Sequence, residues 1–169
     1  MKRIILVGYM GSGKSILGLK LANYLGIPFL DSDLEIEKIT KLSIAQIFEK
    51  YDEYYFRNLE KEFIKNLQIK ESFVLAVGGG LPCYNNLMGR LNKIGTTIFL
   101  DVSIEQIFQR IHKSNRPLIK DKSESELKAF IKKSVLKRNT IYKQSQLLLK
   151  TDDNQWEKLL EIINHQKIH

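Results

Sequence analysis

Residues 8 to 15 read "GYMGSGKS", a complete G-x-x-x-x-G-K-[ST] spacing set between a short apolar run and a helical pattern. The residue types prescribe the chemistry. Glycines at 8, 11 and 13 let main-chain amides wrap phosphate oxygens at a helix N-terminus, where the helix dipole adds further attraction for negative charge. From such a loop Lys14 reaches the outer phosphates, and the Ser15 hydroxyl is placed to ligate magnesium. The predicted ligand is therefore a nucleoside triphosphate. Guanine is disfavoured, because "NKIG" (92 to 95) lacks the aspartate of an Asn-Lys-x-Asp reader.

The phosphoryl group needs an acceptor, and "FLDSDLEIE" (29 to 37) puts Asp31 and Asp33 two apart at the end of an apolar run. Asp31 could hold magnesium through water, and Asp33 could orient a hydroxyl or take its proton. Either could instead cap the helix that follows. Asp101, ending "IFLD", is a rival metal ligand or a simple turn residue. Three glycines in "VGGG" (77 to 80) strip side chains from a third such edge, which suits amide donors aimed at a substrate.

Arginine occurs only at Arg3, Arg57, Arg90, Arg110, Arg116 and Arg138. Its planar fork grips carboxylate and phosphate where lysine does so poorly. Arg138 continues the apolar stripe Leu127, Ile131, Val135, so it points inward, toward a bound anion or a structural carboxylate. Arg57 stands three residues before Glu60, which allows either a substrate contact or a surface pair. Arg116 lies beside Pro117 in the polar segment 112 to 125, a plain connection or a mobile cover from which it could swing onto phosphates.

These residues require a scaffold that gathers strand ends. Five apolar runs, "RIILVG" (3 to 8), "IPFLD" (27 to 31), "FVLAV" (73 to 77), "TTIFLD" (96 to 101) and "QLLLK" (146 to 150), alternate with segments of helical periodicity. That alternation predicts a parallel sheet covered on both faces, with ligands at its carboxyl edge. Helix starts are predicted at "SIAQ" (43 to 46), "SIEQ" (103 to 106) and "SESE" (123 to 126), each with the Ser-x-x-Glu/Gln form of a capping box.

With 169 residues, 43% of them hydrophobic and 27% charged, the chain reads as one globular domain over 1–169, without a linker or an internal repeat. The net charge of +8 is spread as isolated lysines rather than clustered, which fits a phosphorylated small molecule and gives no footprint for nucleic acid. A single cysteine, Cys83, fits a reducing compartment. Neither a signal-peptide core nor an apolar run of membrane-spanning length is found, so no membrane association and a cytoplasmic location are expected.

Taken in order, "GYMGSGKS", "LDSDLEIE", "SIAQIFEKYDEYYFRNLE", "AVGGG", "NRPLI" and "RNTIY" closely resemble the signatures of the shikimate kinases, along nearly the whole chain. The resemblance implies a P-loop, nucleoside-monophosphate-kinase-like α/β fold, with a five-stranded parallel sheet flanked by helices and a mobile lid near 112–125. It also implies ATP-dependent phosphorylation of the 3-hydroxyl of shikimate, in the chorismate pathway to aromatic amino acids, by a monomer. By motif position, Gly11, Ser12, Gly13, Lys14, Ser15 and Ile16 hold the nucleotide phosphates, and Ser15 with Asp31 serves Mg2+. Asp33, in a helical region at about 32–62, takes the shikimate hydroxyls as the base. Arg57 and Arg138 grip the carboxylate, with Gly79 and Gly80 lending amides. Arg110 lies against adenine, near a contacting turn at 151 to 155, and Arg116 closes from the lid as a catalytic cation beside Lys14. Phe48, Phe56, Pro117 and Leu118 wall the ring.

Overall fold

The computed structural model describes residues 1–67, 71–112, 122–150 and 152–165. All five apolar runs become strands: β1 (Arg3–Val7), β2 (Phe29–Asp31), β3 (Phe73–Ala76), β4 (Thr96–Asp101) and β5 (Leu147–Lys150). Every pairing is parallel, in the order β2-β3-β1-β4-β5. Between the strands lie α1 (Lys14–Leu25), α2 (Ser32–Thr40), α3 (Ile44–Lys50), α4 (Glu53–Asn66), α5 (Leu87–Ile94), α6 (Ile104–Ile111), α7 (Glu124–Tyr142) and, after β5, α8 (Gln155–His165).

Strand alternation divides the core into two layers. Ile5 and Val7 of β1 pack with α5, α6 and α7, whereas Ile4 and Leu6 pack on the other face with α1 and α8. Burial on both faces is why β1 reads as an unbroken apolar run. The chain leaves β1 over the second layer toward β2, and leaves β3 over the first layer toward β4. Neighbouring strands whose connections diverge in this way open a crevice at their carboxyl ends. The glycine loop and the glycine run after β3 border it. A smaller cluster of Ile36, Ile47 and Phe56 joins α2, α3 and α4 beside that crevice.

Caps fix where the helices begin. Ser43 and Ser123 form complete capping boxes with Gln46 and Glu126. Ser103 accepts from Gln106 N at 3.2 Å, but its own amide donates to Asp152 Oδ1 at 2.7 Å, so the reciprocal half of the expected box is replaced by a tie to the segment before α8. Among the described residues, no helix is long and apolar enough to cross a membrane.

Candidate active site

The loop after β1 turns twice through left-handed backbone, with φ of 78° at Gly11 and 98° at Gly13, where glycine alone carries no steric penalty. Gly13 is also the N-cap of α1, and it offers no side chain to the first-turn amides. Those donors remain available for an anion. Lys14 Nζ folds across the loop onto the Gly8 and Tyr9 carbonyl oxygens at 2.9 and 2.8 Å, and Ser12 is fully buried beneath it. Ser15 Oγ donates to Asp31 Oδ2 at 2.6 Å.

Asp31 does two jobs that the sequence offered as alternatives. Its Oδ1 accepts from Asp33 N at 3.0 Å as the N-cap of α2, while its other oxygen faces Ser15. A serine hydroxyl beside a carboxylate is the hard-oxygen pair that magnesium takes when phosphate and water complete its shell. The residues present therefore fit the metal. The rival, Asp101, is not among the residues that line the two cavities described below.

A cavity of about 670 Å³ contains Gly11, Gly13, Lys14, Ser15 and Ile16 together with Arg110. Arg110 donates to Gly11 O at 3.2 Å and approaches Gln155 Oε1 at 3.5 Å. Gln155, at the start of α8, in turn donates to Ser12 O at 3.3 Å. The sequence marks it only as the end of an expected adenine-contacting turn at 151 to 155. Thr151 lies outside the described residues.

The neighbouring cavity brings together Asp33, Arg57, Gly79, Gly80 and Arg138, with Phe48 and Phe56 on its wall. Their rings lie 5.0 Å apart. Arg57 does pair with Glu60, at 2.6 Å, and with Glu53 at 2.9 Å. The first pair is no surface bridge, since Glu60 is 1% exposed. Burial pushes the Glu60 carboxyl up to about 7, against the opposing pull of Arg57 and with added repulsion from Asp33 and Glu53. Arg138 differs. Among the described residues no carboxylate lies within ion-pair distance of it, and its guanidinium rests over the ring of Tyr9 at 5.4 Å.

Close packing explains the glycine run. A Cβ at Gly78 would stand 2.7 Å from Asp33 Oδ1 and 3.0 Å from Glu60 Oε1, and one at Gly80 would collide with the Arg57 guanidinium. Gly78 N is held by Ser32 Oγ at 2.8 Å, and Gly79 O accepts from the Tyr142 hydroxyl.

The two cavities meet. Met10, Ser15, Asp31, Asp33, Gly78 and Gly79 line both. A phosphate-wrapping loop thus shares a wall, which includes Ser15, Asp31 and Asp33, with a compartment that also holds Arg57, Glu60 and Arg138. Of the predicted site residues, Arg116 lies outside the described residues, as do Pro117, Leu118 and 113–121 of the expected lid. Glu60 enters the site although the sequence offers it only as a pairing partner of Arg57, and Gly78, part of the expected glycine run, lines both cavities.

Comparison with known proteins agrees with this fold. The family model described as shikimate kinase matches residues 10–166. A shikimate kinase of Flavobacterium johnsoniae is 40% identical over 168 residues, covering 96% of this chain and 97% of its own. Among solved structures, a shikimate kinase from Bacteroides thetaiotaomicron superposes with a TM-score of 0.88 at 33% identity, over 99% of this chain and 97% of that one. One from Acinetobacter baumannii, solved in complex with shikimate, gives 0.86 at 32% identity, over 100% and 96% of the two chains.

Proposed function

The chain belongs to the shikimate kinase family, and from that premise we propose that it transfers the terminal phosphoryl group of ATP to the 3-hydroxyl of shikimate, yielding shikimate 3-phosphate for aromatic amino-acid synthesis. One observation carries the assignment to this chain's own residues: the cavity around the phosphate loop and the cavity of Asp33, Arg57 and Arg138 share a wall. Charge complementarity supports a small hydroxylated carboxylate entering the second cavity with its hydroxyl toward Asp33 and its carboxylate toward the arginines.

Each residue then has a distinct task. The amides from Gly11 to Ile16 cradle the phosphates. Lys14 exchanges the Gly8 and Tyr9 carbonyls for phosphate oxygens. Mg2+, held by Ser15 with Asp31 nearby, would neutralise phosphate charge when bound. Asp33 accepts the proton of the attacking hydroxyl, which leaves the oxygen lone pair aligned with the phosphorus. Arg57 and Arg138 hold the carboxylate, with the Gly79 and Gly80 amides beside them. Arg110 lies against the nucleotide base. Arg116 is assigned to the closing lid on the family resemblance alone, as is the boundary of that lid at about 112–125. We take 1–169 as one catalytic domain, acting as a cytoplasmic monomer on shikimate and ATP, with no nucleic-acid or membrane partner.

Positioning and charge neutralisation account for most of such catalysis, so acceptor geometry decides specificity. A coupled assay with ATP and magnesium, comparing shikimate with gluconate, tests the reading. Turnover on shikimate is expected; turnover on gluconate alone would overturn it.

A further inference from the structure

We infer that Tyr9 is a positioning residue for the acceptor site: its ring face holds Arg138 in place for the substrate carboxylate. The inference rests on the function proposed above. The two arginines that face the acceptor are held in opposite ways. Arg57 is fixed by two carboxylates, at 2.6 and 2.9 Å, whereas Arg138 has none within ion-pair distance among the described residues. A half-buried guanidinium still needs an orienting partner, because a free arginine side chain carries considerable rotamer entropy.

Tyr9 supplies one from the ring side, while the Tyr142 hydroxyl also approaches Arg138. Tyr9 is 2% exposed and belongs to the larger core layer with Ile131 and Val135, so packing limits its choice of rotamer. The Arg138 guanidinium carbon lies 5.4 Å from the ring centre, within the range of a cation–π contact. The distinction from a carboxylate matters. A carboxylate would neutralise Arg138 and occupy the N–H groups that substrate must use, whereas a π face attracts the cation from one side and takes up none of its N–H groups. The Tyr9 hydroxyl, near Ser134, makes no hydrogen bond of ordinary geometry. The ring, not the hydroxyl, is the working part.

Steady-state kinetics of Tyr9→Leu and Tyr9→Phe, each alone and combined with Arg138→Met, test this. Tyr9→Leu should raise the KM for shikimate about three- to tenfold, more than it lowers kcat, while the KM for ATP moves less than about twofold. Tyr9→Phe should rescue the shikimate KM. With Arg138→Met already present, Tyr9→Leu should add almost nothing. Equal effects of Leu and Phe, an equal penalty in both backgrounds, or a matching rise in the KM for ATP would each overturn the inference. If Tyr9→Leu fails to fold, stepwise fluorinated phenylalanines at position 9 weaken the ring face without changing its shape; a shikimate KM flat across that series overturns it as well. Wild-type turnover on shikimate is measured alongside, so failure of the function itself is distinguished from failure of this contact.

Discussion

Arg57 Nη1 donates to Glu60 Oε2 across 2.6 Å inside the acceptor wall, where Glu60 is 1% exposed. Burial outweighs the ion pair, and the carboxyl is pushed from 4.5 up to about 7. A carboxyl that binds its proton more tightly when folded contributes stability that is full below the unfolded value. That contribution is lost as pH rises through the folded one. The wild type should therefore lose stability between about pH 4.5 and 7 relative to Glu60→Gln, which cannot ionise. Melting temperatures of both proteins across this window are the measurement. Parallel curves would show that folding leaves the proton affinity of Glu60 unchanged.

The unequal support of the two arginines separates stability from binding. Removing Arg57 by substitution to Met leaves buried Glu60 without its nearest cation, so stability should fall by about 1–3 kcal/mol as the KM for shikimate rises. Arg138→Lys strands no carboxylate among the described residues. Its stability should stay within about 0.5 kcal/mol, while binding weakens by about 1.5–3 kcal/mol for a lost charge-assisted contact. Thermal melts paired with KM values resolve the two. Equal stability losses would mean that Arg138 is a structural residue.

Local signals made much of this site legible in the sequence. The glycine loop, the Asp31/Asp33 pair and the three serine caps each depend on residues a few positions apart. Arg138 was readable because it extends the stripe of Leu127, Ile131 and Val135, all buried. Glu60 was not readable as a site residue, since a carboxylate three positions after an arginine resembles an exposed helix pair. Its signal was present in a different spacing. Phe56, Glu60 and Ile64 recur every four residues and form the buried face of α4, so Glu60 interrupts an apolar stripe. Gln155 carried no such signal, because its contact with Ser12 O spans 143 positions and exists only once α8 docks on the sheet. Tyr9 was hidden within the motif's variable positions, where the spacing constrains the glycines and not the residue between them.

Asp33 stands where the two cavities join, with its amide fixed by Asp31 Oδ1 at 3.0 Å. Asp33→Asn keeps the shape and that amide bond but removes the proton acceptor. General-base assistance contributes about 10²–10⁴-fold, so turnover should fall by at least a factor of about 100. Nucleotide affinity should change little, since the loop residues that wrap phosphate are untouched. Initial rates and a fluorescent-nucleotide titration provide the check. A variant that retains more than about a tenth of the wild-type rate would remove Asp33 from the base role.

Gly78 tests whether the position of Asp33, rather than its presence, sets the rate. An added Cβ would meet Asp33 Oδ1 at 2.7 Å and Glu60 Oε1 at 3.0 Å. The glycine backbone cannot easily retreat, because its amide is held by the buried Ser32 hydroxyl at 2.8 Å and its neighbour Gly79 is tied to Tyr142. The two carboxylates must move instead, and Asp33 is the closer. A displacement approaching 1 Å at a reacting group costs up to about 100-fold in rate, so Gly78→Ala should lower kcat about 10- to 100-fold. Its melting temperature should change little, since the atoms displaced are side-chain termini that border a cavity. Wild-type kcat with an unchanged melt would mean that Asp33 tolerates relocation, and that the hydroxyl it serves is not held to a single line of attack.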